Sequence, residues 1–254
     1  MSFLRQVTPI VLTWNEEPNI KSVFDKLAWA SDVVVVDSGS TDQTLPLLKA
    51  YRNVRVITHP FSSHSAQWNY ALTQTAIATE WVLSLDADYV LSDALVDEMQ
   101  ALAPLASTNG YTARFVYWSI GRPLRGTLYP PKVVLFRRSA ARFFQDGHTQ
   151  RLQVAGTTDE LRSAVFHDDR KNLARWLRSQ DAYAELEAQR IASSPALQRS
   201  WRDRFRRTGF SPLFVALYAL FAKRCILDGR AGLYYATQRA IAEALLTLKL
   251  WERP

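Results

Sequence analysis

The chain has 254 residues, 48% of them apolar, and a formal charge of +7. That length suits one large domain or a domain with an appendage, and the composition excludes a disordered chain. Cys225 is the only cysteine, which excludes a disulfide framework and a cysteine-based metal cluster and fits a reducing compartment.

The first residues, MSFLRQVTPIVLTW, run into a strand-like pattern and lack the apolar region and cleavage site of a signal peptide. Val7–Leu12 reads as a strand. Glu16-Glu17-Pro18-Asn19 sets acids and a proline where a helix begins, and Ile20–Ala30 continues it. Asp32–Asp37, DVVVVD, has the β-branched run of a strand buried on both faces. Ser40-Thr41-Asp42-Gln43 has the spacing of a capping box and predicts a helix through Ala50. Val54–Thr58 is a third strand, Ser65–Thr79 a third helix and Trp81–Asp86 a fourth strand. This alternation predicts an α/β fold with a mostly parallel sheet and helices on both faces. Ligands in such sheets sit at the carboxyl ends of the strands, where Thr13-Trp14-Asn15, Asp37-Ser38-Gly39 and Asp86-Ala87-Asp88 all fall.

From Gly110 the pattern changes. YTARFVYW and KVVLFRR read as strands, and Phe143–Val154 reads as short and irregular around Asp146-Gly147-His148. Beyond His167 the chain reads as helical almost to its end, with Leu173, Trp176, Leu177, Tyr183 and Leu186 as one apolar stripe broken at Pro195. These patterns predict domains at 1–170 and 171–254, the second a basic, amphipathic helical extension. Residues 170–254 carry a net +9 and the rest of the chain −2. A basic rear suits a polyanion: nucleic acid, anionic lipid or a phosphorylated glycan.

The two carboxylates of WVLSLDADYVL stand where an apolar strand breaks, and burying them unpaired is costly, so a positive partner is expected. Mg²⁺ and Mn²⁺ take oxygen ligands and share them with substrate phosphates. Taken alone, Asp-x-Asp reads more readily as a capped turn than as a metal site.

VLTWNEEPNI, VVVVDSGSTDQT, SAQWNYAL and WVLSLDADYVL, in this order and spacing, resemble a family 2 glycosyltransferase of the GT-A fold. The likeness is strong over residues 7 to 92 and continues in outline to about 170. It is closest to the bacterial branch that builds lipopolysaccharide core and other cell-envelope glycans. The resemblance implies a nucleotide-sugar donor, UDP-sugar first, transfer with inversion, and Mg²⁺ or Mn²⁺ bridging the diphosphate. It also implies Thr13, Asn15, Glu16, Asp37, Ser38, Gln67, Asn69 and Asp86 at the donor, with Asp86, Asp88 and His167 toward the metal. The general base falls in FFQDGHTQRL. Relatives carry His-Glu where this chain has His148-Thr149, which leaves Asp146 as the carboxylate. Arg170 and Lys171 are placed to meet diphosphate.

The rear adds a cationic run, Arg199 through Arg207, followed by Leu213–Ala222. Ten apolar residues are fewer than the roughly 18 to 20 a spanning helix needs, so the pattern suits a helix lying in an anionic interface or a hairpin packed on the domain. The expected place is therefore cytoplasmic, peripheral on the inner face of the cytoplasmic membrane, with a glycan or lipid-linked acceptor. Two other readings stand beside this one. A sugar nucleotidylyltransferase opens with a glycine-rich cationic loop, where this chain has TWNEEPN. A non-catalytic nucleic-acid-binding protein would leave the strand-end carboxylates repelling phosphate, and no nucleic-acid partner is expected.

Overall fold

The computed structural model describes residues 2–146, 149–195 and 199–253. They divide into two compact units, Met1–Phe115 with Tyr129–Arg170, and Val116–Leu128 with Lys171–Pro254.

In the first unit the elements run β1 (Val7–Thr13), α1 (Glu17–Phe24), β2 (Val33–Asp37), α2 (Thr44–Leu48), β3 (Val54–Thr58), α3 (His64–Gln74), β4 (Trp81–Asp86), β5 (Tyr89–Leu91) and α4 (Asp93–Gln100). β6 (Thr108–Ser119) carries the chain out of this unit, and after β7 (Arg122–Pro123) the chain returns with β8 (Lys132–Arg137), β9 (Ala141–Asp146), β10 (Thr149–Val154) and β11 (Thr157–His167). The main sheet has the order β3-β2-β1-β4-β8-β6-β11-β5, and β9 and β10 form a separate hairpin. The first four strands are mutually parallel, while β8 joins β4 and β6 joins β8 antiparallel.

The DVVVVD run explains the layers. Val33 and Val35 enter one core with Ile20 and Phe24 of α1 and Leu95 and Met99 of α4. Val34 and Val36 enter the other with Trp68 and Leu72 of α3. Period-two alternation sends neighbours to opposite faces, and each fully buried valine contributes about 1.5 kcal/mol or more. A strand covered on both faces positions whatever follows it rigidly.

Several boundaries differ from the sequence pattern. α2 begins at Thr44, and Ser40 does not cap it, because the Ser40 hydroxyl is already bonded to Asp37 (2.5 Å). The N-cap is Gln43, whose side chain makes no capping bond, and Asp42 one residue earlier accepts from Thr44 N at 2.9 Å. α1 stops at Phe24 and passes into a 3₁₀ turn, and α3 ends at Gln74, followed by Ala76 in the left-handed region at φ +51°. In the segment expected to be irregular, residues 143–146 and 149–154 instead lie in the paired strands β9 and β10, whose register runs from Ala141↔Val154 to Asp146↔Thr149.

The second unit holds the end of β6 with β7, then α5 (Leu173–Ser193), α6 (Trp201–Arg206), α7 (Ser211–Leu217), a π-helical turn Tyr218–Ala222, a 3₁₀ turn Cys225–Asp228 and α8 (Arg230–Trp251). Of the apolar stripe expected on α5 only Trp176 is buried. Leu173, Leu177, Tyr183 and Leu186 are exposed, whereas Trp176, Ala184, Ala188 and Ile191 are buried. Small alanines let α8 approach closely, with Leu246 and Leu250 closing the contact. Gly232 is needed for a similar reason: a Cβ there would stand 1.7 Å from the Cys225 carbonyl. Among the described residues no helix is long and apolar enough to cross a membrane.

Candidate active site

Register assembles the site. β1 and β2 pair Thr13 with Asp37, and β1 and β4 pair Leu12 with Asp86, so the carboxyl ends of three strands lie side by side. Asp37 is 0% exposed and accepts four hydrogen bonds. Oδ1 takes Gly39 N at 2.9 Å and Ser40 N at 2.8 Å. Oδ2 takes Thr13 Oγ1 at 2.7 Å and Ser40 Oγ at 2.5 Å. Gly39 sits at φ +89°, where a side chain would be strained, so the turn after β2 is set by Asp37 and Gly39 together.

Asn15, itself at φ +56°, ties the loop after β1 to that turn. Its Oδ1 accepts from Thr41 N (2.7 Å), and its own N–H donates to Ser40 Oγ (2.7 Å). Asn tolerates this backbone better than most residues because its short amide bonds locally. Glu16 is nearly buried, with its N–H on Thr44 Oγ1 (2.6 Å) and its carboxylate accepting from Asn19 Nδ2 (2.9 Å).

Gln67 and Asn69 do not face one way. Gln67 is buried and donates to Ser38 Oγ and the His59 carbonyl, both at 2.9 Å, while its Oε1 meets His59 Nδ1 at 2.6 Å. Asn69 clamps the backbone of β9, donating to Phe143 O (2.8 Å) and accepting from Phe143 N (3.0 Å). Two residues apart on a helix is about 200°, so one side chain reaches the β2 loop and the other the hairpin.

Asp86 ends β4 and lines a cavity of about 220 Å³ with Trp68, Ser84, Tyr89, Lys132 and Arg151. Among the described residues neither Lys132 nor Arg151 is ion-paired. Asp88 lies beyond the strand end. β5 and β11 pair Tyr89 with His167, and this register brings His167 Nε2 to 3.2 Å from Asp88 Oδ2. The rings of Tyr89 and Tyr129 stand edge-on to His167 at 5.3 and 4.7 Å, and both phenols meet each other and the Lys132 ammonium. Burial, with the nearby Asp86 carboxylate adding, pushes the Tyr89 phenol well above its ordinary range, so it keeps its proton.

Sequence reasoning missed β5, α4, β11 and the Tyr89–Tyr129–Lys132 cluster; TTDELRSAVFH is too polar in its first half to read as a strand. α5 is capped by Asn172, while Asp169 accepts from Asn19 Nδ2 (3.2 Å) and Asp168 meets Arg170 (2.8 Å). Of Asp146 only the backbone, at the end of β9, is described, and His148 lies outside the described residues.

The donor atoms here are hard carboxylate oxygens with one imidazole, which suits Mg²⁺ or Mn²⁺. Among the described residues no three His, Cys, Asp or Glu side chains already converge as a metal cage. Such a set fits a cation completed by ligands other than protein.

Parallel strands that end in carboxylates beside a cavity are the arrangement in which α/β enzymes hold their ligands. Residues 8–157 match the family model Glycosyl transferase family 2, more than half of the chain, and the chain belongs to that family of glycosyltransferases. It is 24% identical over 262 residues to the Lipopolysaccharide core biosynthesis glycosyltransferase LpsC of Rhizobium meliloti, covering 97% of this chain and 92% of that one. It is 30% identical to an uncharacterized glycosyltransferase of Rickettsia typhi over 43% of this chain and 37% of the relative. Its fold is that of S. aureus TarS 1-349, solved in complex with UDP-GlcNAc, at TM-score 0.51 and 17% identity, covering 97% and 92% of the two chains. The architecture is therefore GT-A with a helical C-terminal region. Membership favours the transferase over the nucleotidylyltransferase and nucleic-acid readings.

Proposed function

We propose that the chain transfers a sugar, with inversion, from a UDP-sugar to a lipopolysaccharide-core or other cell-envelope glycan acceptor at the inner face of the cytoplasmic membrane. The observation that carries this is the alignment of Thr13, Asp37 and Asp86 at three parallel strand ends beside a cavity lined in part by Asp86, Lys132 and Arg151, with Asp88 against His167. The relatives support the acceptor class and the donor class: LpsC is named for lipopolysaccharide core biosynthesis, and TarS is seen with UDP-GlcNAc.

In this reading Asp86 and Asp88, with His167, hold Mg²⁺ or Mn²⁺. When bound, the cation offsets charge growing on the departing diphosphate. Asp37, Ser38, Asn15 and Glu16 shape the nucleotide pocket through the loops they lock, and Thr13 is fixed by its bond to Asp37. Gln67 steadies Ser38, and Asn69 sets the hairpin carrying Asp146. Asp146 takes the proton from the acceptor hydroxyl as that oxygen attacks C1 of the sugar. The C1–oxygen bond to UDP breaks, and UDP leaves.

The test is turnover with a panel of UDP-sugars and a lipopolysaccharide-core acceptor, followed by the anomeric configuration of the product. Release of UDP with an inverted linkage is expected, and Asp146→Asn is expected to lower turnover at least a hundredfold while UDP binding persists. Retained configuration, or near-normal turnover of that variant, overturns the assignment.

A further inference from the structure

α7 and the π-helical turn that continues it have an inverted pattern. Residues three and four apart share a helix face. The buried face holds Ser211 and Ala219, with Val215 half-buried between them. The outward face holds Leu213, Phe214, Leu217, Tyr218 and Phe221, between 42% and 62% exposed. A helix serving only its own domain shows the reverse, with its large apolar side chains turned inward. The stripe continues along the chain into Ile226 and Leu227, both exposed in the following 3₁₀ turn.

Charge flanks this stripe. Between Arg199 and Arg230 the sequence has eight Lys and Arg against two Asp. Some of that charge is used internally. Arg206 pairs with Glu187 and Glu243, Arg199 donates to backbone carbonyls, and Arg190 meets Asp203. Arg202, Lys223, Arg224 and Arg230 are different, because among the described residues none of them is ion-paired. Lys223 lies over the Tyr218 ring at 5.9 Å, directly joining cation to stripe.

We propose that this face docks the second unit onto an anionic lipid leaflet. The Leu, Phe and Tyr side chains enter the boundary between headgroups and acyl chains, and the four unpaired cations meet headgroup phosphates. Apolar area and electrostatic attraction add in such binding, and the electrostatic part weakens with salt. The length of the stripe makes the helix lie in the plane of the interface. The inference is independent of the donor and of the transfer chemistry, since vesicles alone test it.

The experiment is co-sedimentation of the full chain with vesicles of equimolar phosphatidylglycerol and phosphatidylcholine, against phosphatidylcholine alone. Binding is expected to the anionic vesicles and to fall as salt rises. Leu217→Glu with Phe221→Glu is expected to weaken it more than tenfold, and so is Lys223→Glu with Arg224→Glu. The melting temperature should hold in both variants, because these side chains lie at or near the surface. Equal binding to both vesicle types, or wild-type binding by either folded variant, overturns the proposal. So does a concentration-dependent dimer that uses this face in the absence of vesicle binding.

Discussion

Replacing Asp37 by Asn tests whether a buried carboxylate organises the donor loops. Asn keeps an acceptor for Gly39 N and Ser40 N, so the Oδ1 side survives. On the other side an NH₂ group replaces Oδ2, which now accepts from Thr13 Oγ1 at 2.7 Å and Ser40 Oγ at 2.5 Å. The Ser40 and Thr13 hydroxyls can accept from that NH₂ only by turning their own protons away, and Ser40 Oγ would then take two donors, the NH₂ and Asn15 N at 2.7 Å. Two hydrogen bonds to a carboxylate are lost, each worth about 1.5 kcal/mol at the low end, so the variant should lose about 3 kcal/mol. Asp37 is 0% exposed, and water cannot replace the bonds without opening the turn. Urea unfolding followed by tryptophan fluorescence reads the loss as a lower midpoint. A variant within about 0.5 kcal/mol of wild type would refute the reasoning. Unchanged stability with lost UDP binding would return Asp37 to direct contact with the nucleotide.

Glu98 accepts from Arg162 N and Ser163 N, both at 2.8 Å, and clasps β11 to α4. Burial alone would raise its pKa, but the two backbone N–H groups outweigh this and hold it below its ordinary value. A lowered folded-state pKa gives stability that is present above the unfolded value of 4.5 and lost as pH falls below it. Glu98→Gln should therefore cost about 1 kcal/mol at neutral pH, and the gap from wild type should close in acid melts. Asn69→Ala removes both bonds to Phe143 and leaves that backbone pair unsatisfied. Faster amide exchange across β9 and β10 is expected, with a turnover loss larger than the loss of UDP binding, read by steady-state kinetics and hydrogen exchange.

The front of the fold was legible because it obeys period rules. DVVVVD is apolar at both parities, so it reads as a strand covered twice, and that strand ends at Asp37. Asp86 was legible in the same way, as the polar residue ending an apolar run. The contacts of Asn69 and His167 were not, since they depend on strands from distant sequence: β9 for Asn69, and the β5–β11 register for His167. α5 misled because four of its five expected stripe residues, Leu173, Leu177, Tyr183 and Leu186, face outward while alanines are buried, and hydrophobicity ranks leucine above alanine. Ser40 misled because its hydroxyl had two uses, and the tertiary bond to Asp37 won over the local cap.

The most direct measurement is calorimetric titration of UDP into the full chain with Mn²⁺ and after chelation, for wild type and Asp88→Ala. Wild type should bind UDP at least tenfold more weakly once the metal is removed. Asp88→Ala should bind at that weaker level under both conditions. Identical wild-type affinity after chelation, or a metal-dependent gain that survives in Asp88→Ala, would contradict the account.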